Sequence, residues 1–171
     1  MHKGKLGLFT FFIFLAPFLG FTQTAESYFR EAEQKFRKGD YTAATDSYSL
    51  AIKADSNNLN YFLKRGFAYG MSGNYDEAVN DYSYVLTKSP DHIFSLTSRG
   101  SAYNKLGKYL EAMTDFDHVL AIDPKNQEAY NNRGWSKKFL GDFEGACKDW
   151  HRSKKMGNEE AKIILNNNQC R

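Results

Sequence analysis

The chain has 171 residues, with 23 Lys plus Arg against 20 Asp plus Glu, a formal charge of +3. That is enough for one ordinary domain. It falls short of the dense cationic face of a nucleic-acid binder, and 42% hydrophobic residues speak against intrinsic disorder. Two cysteines cannot hold a small disulfide scaffold together, though they can form one bridge.

Residues 1–22 differ from everything after them. Lys3 and Lys5 make a short basic start, and Leu6 to Phe21 continues without one charge. As a helix that stretch would reach roughly 24 Å, short of the ~30 Å hydrocarbon core of a bilayer. Gly20 and Thr22 then supply small residues just before Gln23. This layout predicts a secretory signal peptide over 1–22, cleaved after Thr22. The alternative is an uncleaved N-terminal membrane anchor. Removing 1–22 takes away two lysines and no acid, so the remaining charge is +1, and six of the fourteen phenylalanines leave as well.

A period of 34 residues organises the rest of the chain. Gly39, Gly73, Gly107 and Gly141 share one column, and Tyr41, Tyr75, Tyr109 and Phe143 share the next. Ala44, Ala78, Ala112 and Ala146 keep the same step, as do Tyr48, Tyr82, Phe116 and Trp150. Upstream lie a small column (Ala32, Gly66, Gly100, Gly134) and a bulky one (Tyr28, Phe62, Leu96, Tyr130). The spacing predicts two helices per copy. In the first copy they run over about 25–38, stopped by Gly39, and about 41–54, with apolar residues at helical intervals. Pro90 and Pro124 end the second helices of the middle copies. A short ninth helix is predicted over 159–168, its Ala161, Ile164 and Leu165 covering the last copy.

This grammar of Gly/Ala, Tyr, Gly, Tyr, Ala, aromatic and Pro resembles the tetratricopeptide repeat (TPR) family. The resemblance spans 25–160, in repeats 25–58, 59–92, 93–126 and 127–160. It implies an all-α, right-handed superhelical solenoid of four helix-turn-helix repeats, with 161–171 completing a C-terminal capping helix and tail. The departures lie in the end copies: Glu31, Lys35 and Ser56 in the first, Lys137, Ser153 and Lys154 in the last. Polar substitution there suits repeats with one face in water.

Arg65, Arg99 and Arg133 form one further column, and Asp81, Asp115 and Asp149 another, both missing from the first copy. Their joint variation predicts an Arg–Asp pair, within a copy or between neighbours. Nothing points to catalysis. The histidines outside the leader, His92, His118 and His151, lack metal-ligand spacing, no nucleophile motif is present, and no cofactor is implied. Surface positions suit all three. Cys147 and Cys170 would lie at similar heights if the closing helix folds back. They form a disulfide or remain two thiols.

Repeats of this family usually bind through the groove lined by their first helices. By resemblance, the peptide-binding positions include Phe29, Arg30, Lys64, Phe67, Met71, Lys105, Asn132, Trp135 and Phe139. The subgroup that clamps chaperone tails uses Lys, Asn, Asn, Lys and Arg. The matching positions here read Phe29, Glu33, Lys64, Phe94 and Ser98 in one frame, and Leu63, Phe67, Ser98, Glu128 and Asn132 in the other. A carboxylate clamp is therefore not expected. The segment Ala146-Cys147-Lys148-Asp149-Trp150 resembles the ending of periplasmic TPR proteins of Gram-negative bacteria. The expectation is a non-catalytic protein–protein interaction scaffold, periplasmic or secreted, with a protein or peptide partner and no nucleic acid. A membrane-tethered assembly or secretion factor is the alternative if the first segment is retained.

Overall fold

A computed structural model describes residues 24–167 and Cys170. The predicted signal peptide over 1–22 lies outside the described residues. The described residues form nine α-helices: α1 (Ala25–Arg37), α2 (Tyr41–Ala54), α3 (Leu59–Ser72), α4 (Tyr75–Lys88), α5 (Ile93–Lys105), α6 (Tyr109–Ile122), α7 (Gln127–Phe139), α8 (Phe143–Lys155) and α9 (Glu159–Asn167). Each packs chiefly on its chain neighbours, and α3, α5 and α7 also touch along one side. The result is an all-helical solenoid whose odd-numbered helices line one face. Helix α2 keeps its expected bounds, α1 ends one residue before the expected 38, and residue 168 of the expected ninth helix lies outside the described residues.

Local chemistry explains where the helices start and stop. Side chains of Thr24, Asn58, His92 and Asn126 accept a backbone N–H at the starts of α1, α3, α5 and α7. Sequence alone makes His92 a surface histidine; in the fold its Nδ1 accepts from the Ser95 N–H at 3.2 Å. Gly73 stands at φ 83°, letting its own N–H and that of Asn74 return to the Gly70 and Tyr69 carbonyls. The last copy lacks the proline stop, and Gly157 at φ 103° turns the chain into α9 instead.

The repeat columns are the core. Ala44, Ala78, Ala112 and Ala146 are fully buried, and Tyr48, Tyr82, Phe116 and Trp150 are each at most 2% exposed. Burying such a ring removes about 150–250 Å² from water, roughly 4–6 kcal/mol gross. The small column makes room for it. A Cβ built on Gly66, Gly100 or Gly134 would come within 3.1, 2.8 and 2.5 Å of Asp81, Phe116 and Trp150, respectively.

The Arg and Asp columns meet within each copy and reach beyond it. Arg65 holds Asp81 with two bonds of 2.8 and 2.7 Å, Arg99 holds Asp115 at 2.9 and 2.7 Å, and Arg133 holds Asp149 at 2.8 Å twice. The remaining guanidinium nitrogen donates to the preceding copy: to Ser49, Ser83 and Asp117 in turn. Of the two predicted alternatives, the columns pair within a copy, and the link to the neighbour runs through other residues. Hydrogen bonds from Arg65 and Arg99 to Asp81 and Asp115 hold the two guanidinium groups above their ordinary range. Burial pushes the Asp81 carboxyl up, while the two bonds from Arg65 pull against that shift. The bidentate geometry keeps the pair ionised.

At the other end, Cys147 and Cys170 are joined in a disulfide, with Cα atoms 5.5 Å apart. The bridge lies against a cluster of Ala146, Trp150, Ile164 and Leu165, so α9 is held over the final repeat.

Candidate functional site

The face lined by α3, α5 and α7 carries three linked clefts. The first, about 450 Å³, lies among Asn60, Leu63, Lys64, Phe67, His92 and Phe94. The second, about 250 Å³, shares Phe67 and continues through Gly70, Met71, Tyr75, Ser101 and Lys105, with Glu128 at its rim. The third, about 400 Å³, shares Ser101 and Lys105 and runs on to Asn104, Asn132, Trp135, Phe139 and Glu160. Shared side chains make the three one path across the repeats.

Seven of the nine sequence-predicted binding residues lie on this path: Lys64, Phe67, Met71, Lys105, Asn132, Trp135 and Phe139. Phe29 and Arg30 do not line it. Phe29 packs against the Tyr48 ring of its own repeat at 5.8 Å and the Tyr61 ring of the next at 5.1 Å. Arg30 pairs with Glu26 one turn away at 3.0 Å, largely in solvent.

The apolar walls are rings offset along the face. Phe36, Phe67 and Phe94 succeed one another at 5.4 and 6.1 Å. Further on, Phe139 stacks on Tyr109 at 5.0 Å and on Trp135 at 6.2 Å, and Trp135 meets Trp150 edge-on. Phe67, Met71, Phe94 and Phe139 remain exposed, at 39, 49, 49 and 58%. Large apolar side chains left open on one concave path mark a contact surface.

Polar groups on the path divide into spent and unspent. Asn104 donates to the Asn132 carbonyl at 3.0 Å and accepts from Ser136 at 2.7 Å, and Asn132 donates to Ser101 at 3.2 Å. These amides tie α5 to α7. Lys64 faces Glu33 at 3.5 Å. Burial pushes the Tyr82 phenol up to about 12, against a hydrogen bond with Ser98 that lowers it. The hydroxyl at that cleft wall is therefore neutral at physiological pH. No group of His, Cys, Asp and Glu among the described residues could hold a metal ion.

Gly70, Asn104 and Glu160 are path residues that the sequence did not single out. The first carries a visible signal, a glycine off the small column, where the first copy has Phe36. Glu160 carries none, because its place depends on how α9 folds back.

A TPR repeat model matches residues 100–136, and a tetratricopeptide repeat model matches 61–92. The chain carries tetratricopeptide repeats. Solved TPR-like structures share its solenoid. MamA (residues 41 to the end) from Desulfovibrio magneticus RS-1 is 20% identical with a TM-score of 0.73, covering 78% of this chain and 75% of that one. A tetratricopeptide repeat protein from Parabacteroides merdae ATCC 43184 is 24% identical with a TM-score of 0.73, covering 82% and 57%. A thermophilic TPR protein from Thermus thermophilus is 14% identical with a TM-score of 0.65, covering 78% and 75%. No curated protein matches the chain. At these identities the structural likeness speaks for the fold, and the role of this TPR protein is argued from its own side chains.

Proposed function

We propose that this TPR protein is an exported, non-catalytic scaffold that holds an extended peptide or protein segment along the concave face. The observation that carries the reading is the continuity of the three clefts through Phe67, Ser101 and Lys105. Such a path suits apolar anchors separated by main chain, with Lys64 and Lys105 able to meet acids. A periplasmic or secreted location is supported by the leader-like composition of 1–22 and by the Cys147–Cys170 bridge, which an oxidising compartment sustains.

Dodecapeptides selected on the protein from a random display library, then titrated by fluorescence polarisation, test the groove. Trp135→Ala should weaken them about tenfold or more. Unchanged binding would place the contact elsewhere. The second reading, a tethered assembly factor, draws on the same charge-free run Leu6 to Phe21. N-terminal sequencing of the exported protein separates the two: a start at Gln23 removes the anchor.

A further inference from the structure

Helix α3 contains a glycine without a local reason to be one. Among the described glycines, Gly39, Gly73, Gly107, Gly141 and Gly157 have positive φ. Gly66, Gly100 and Gly134 lie against buried side chains, and a Cβ on Gly145 would strike the Asp142 cap. Gly70 has neither feature: its φ is not positive, and a Cβ built there meets nothing within 4 Å. Glycine inside a helix is less favourable than alanine, so the fold alone would favour a side chain here.

The molecule shows what such a side chain does. One period earlier the residue is Phe36, whose ring stands 5.1 Å from Tyr41 and 5.4 Å from Phe67 and which packs against the buried cluster of Ala32, Ala44, Tyr48 and Ala68. Moved by 34 residues, those six positions become Tyr75, Ser101, Gly66, Ala78, Tyr82 and Ala102. All but Gly66 line the 250 Å³ cleft. The cleft is the berth of Phe36 repeated in the second copy with its ring left out.

We propose that this berth takes an aromatic side chain from the bound segment, and that Gly70 is the specificity-determining residue that keeps it open. The inference rests on the groove reading above and names what the groove selects. Lys105 and Glu128 reach the rim with no ion-pair partner among the described residues. The mouth therefore accepts flanking residues of either sign, and the ring is what the walls discriminate. The main chain of the segment passes directly over the bare α3 backbone at Gly70.

The test uses fluorescein-labelled dodecapeptides selected on the wild-type protein from a random display library, with polarisation and thermal unfolding as readouts. The selected peptides should share a Phe, Tyr or Trp whose replacement by Ala weakens binding at least tenfold. Gly70→Phe, which restores the first-copy ring, should weaken binding by a similar factor while Tm holds or rises. Gly70→Ala should weaken it several-fold, and it serves as the deciding variant if the larger one misfolds. Wild-type affinity in the Gly70 variants, alongside a tenfold loss in Trp135→Ala, would overturn the berth and leave the groove standing. Wild-type affinity in all three would overturn both.

Discussion

The first repeat and the three after it solve one packing problem with different residues. In repeats two to four, an arginine grips an aspartate in its own repeat and spends its remaining nitrogen on the preceding one. The first repeat has no predecessor among the described residues. There Lys35 donates to Glu31 at 2.6 Å and to Ser47 at 2.8 Å, and the lysine and the acid are far more exposed than the aspartates. A planar fork of donors is useful where three acceptors stand around it; where only two do, a point charge suffices. The guanidinium column is thus a coupling between repeats. Its absence from the first copy follows from position in the stack.

Removing one partner of that coupling should give the largest effect. Asp115 is buried beneath Arg99, so Asp115→Ala leaves a half-buried cation without its carboxylate and should cost about 3–5 kcal/mol. Glu31→Ala, its first-repeat counterpart in role, should cost under about 1 kcal/mol because the pair there is open to water. Urea midpoints of the two variants measure the gap. Equal losses would mean that the inner pairs add nothing beyond the outer one.

The two ends of the stack differ as well. Among the described residues the N-terminal end has no covalent tie, while the C-terminal end is closed by a bridge spanning 23 residues. Cys170→Ser should therefore destabilise the protein by about 3 kcal/mol on the chain-entropy estimate. Hydrogen exchange should show faster opening in α9 and α8 and none in α1 and α2. Uniform acceleration would show that the bridge acts on the whole stack.

The small column offers a third contrast. A Cβ on Gly134 would lie 2.5 Å from the Trp150 Nε1, in a side chain that is fully buried and fixed by its bond to the Asn131 carbonyl. Gly134→Ala should cost roughly 1–3 kcal/mol by overpacking. The first repeat carries Ala32 in that column, fully buried and packed with Tyr48. Trp150→Tyr in the Gly134→Ala background should recover part of the loss, as read from Tm.

Legibility in the sequence depends on which contacts obey the 34-residue period. Helix bounds, the ring column and the Arg65–Asp81 type of pair lie inside one repeat, so they recur in register and show as columns. The partners Ser49, Ser83 and Asp117 also recur, but serine and aspartate share acceptor chemistry without sharing an identity, and the column looks like surface variation. Contacts across the concave face, such as Asn104 with Asn132 or Phe67 with Phe94, depend on the superhelical offset between repeats. No periodicity encodes that offset. Phe29 and Arg30 match groove positions in register, yet one packs between repeats and the other pairs along its own helix.

The smallest effect is the most discriminating, because its sign opposes the preceding one. Gly70 and Gly134 are both helical glycines on odd-numbered helices, and helix propensity predicts a gain of up to about 1 kcal/mol for alanine at either. At Gly134 overpacking against Trp150 overrides that gain. At Gly70 no atom lies within 4 Å of the added methyl, so the gain should survive, somewhat reduced because the residue sits in the last turn of α3. Gly70→Ala should raise stability by roughly 0.5 kcal/mol, measured as an upward shift in urea midpoint at unchanged slope. A loss instead would mean that the α3 backbone needs glycine for its own sake. The empty berth would then be a by-product of the turn at Gly73, with no bearing on what the groove selects.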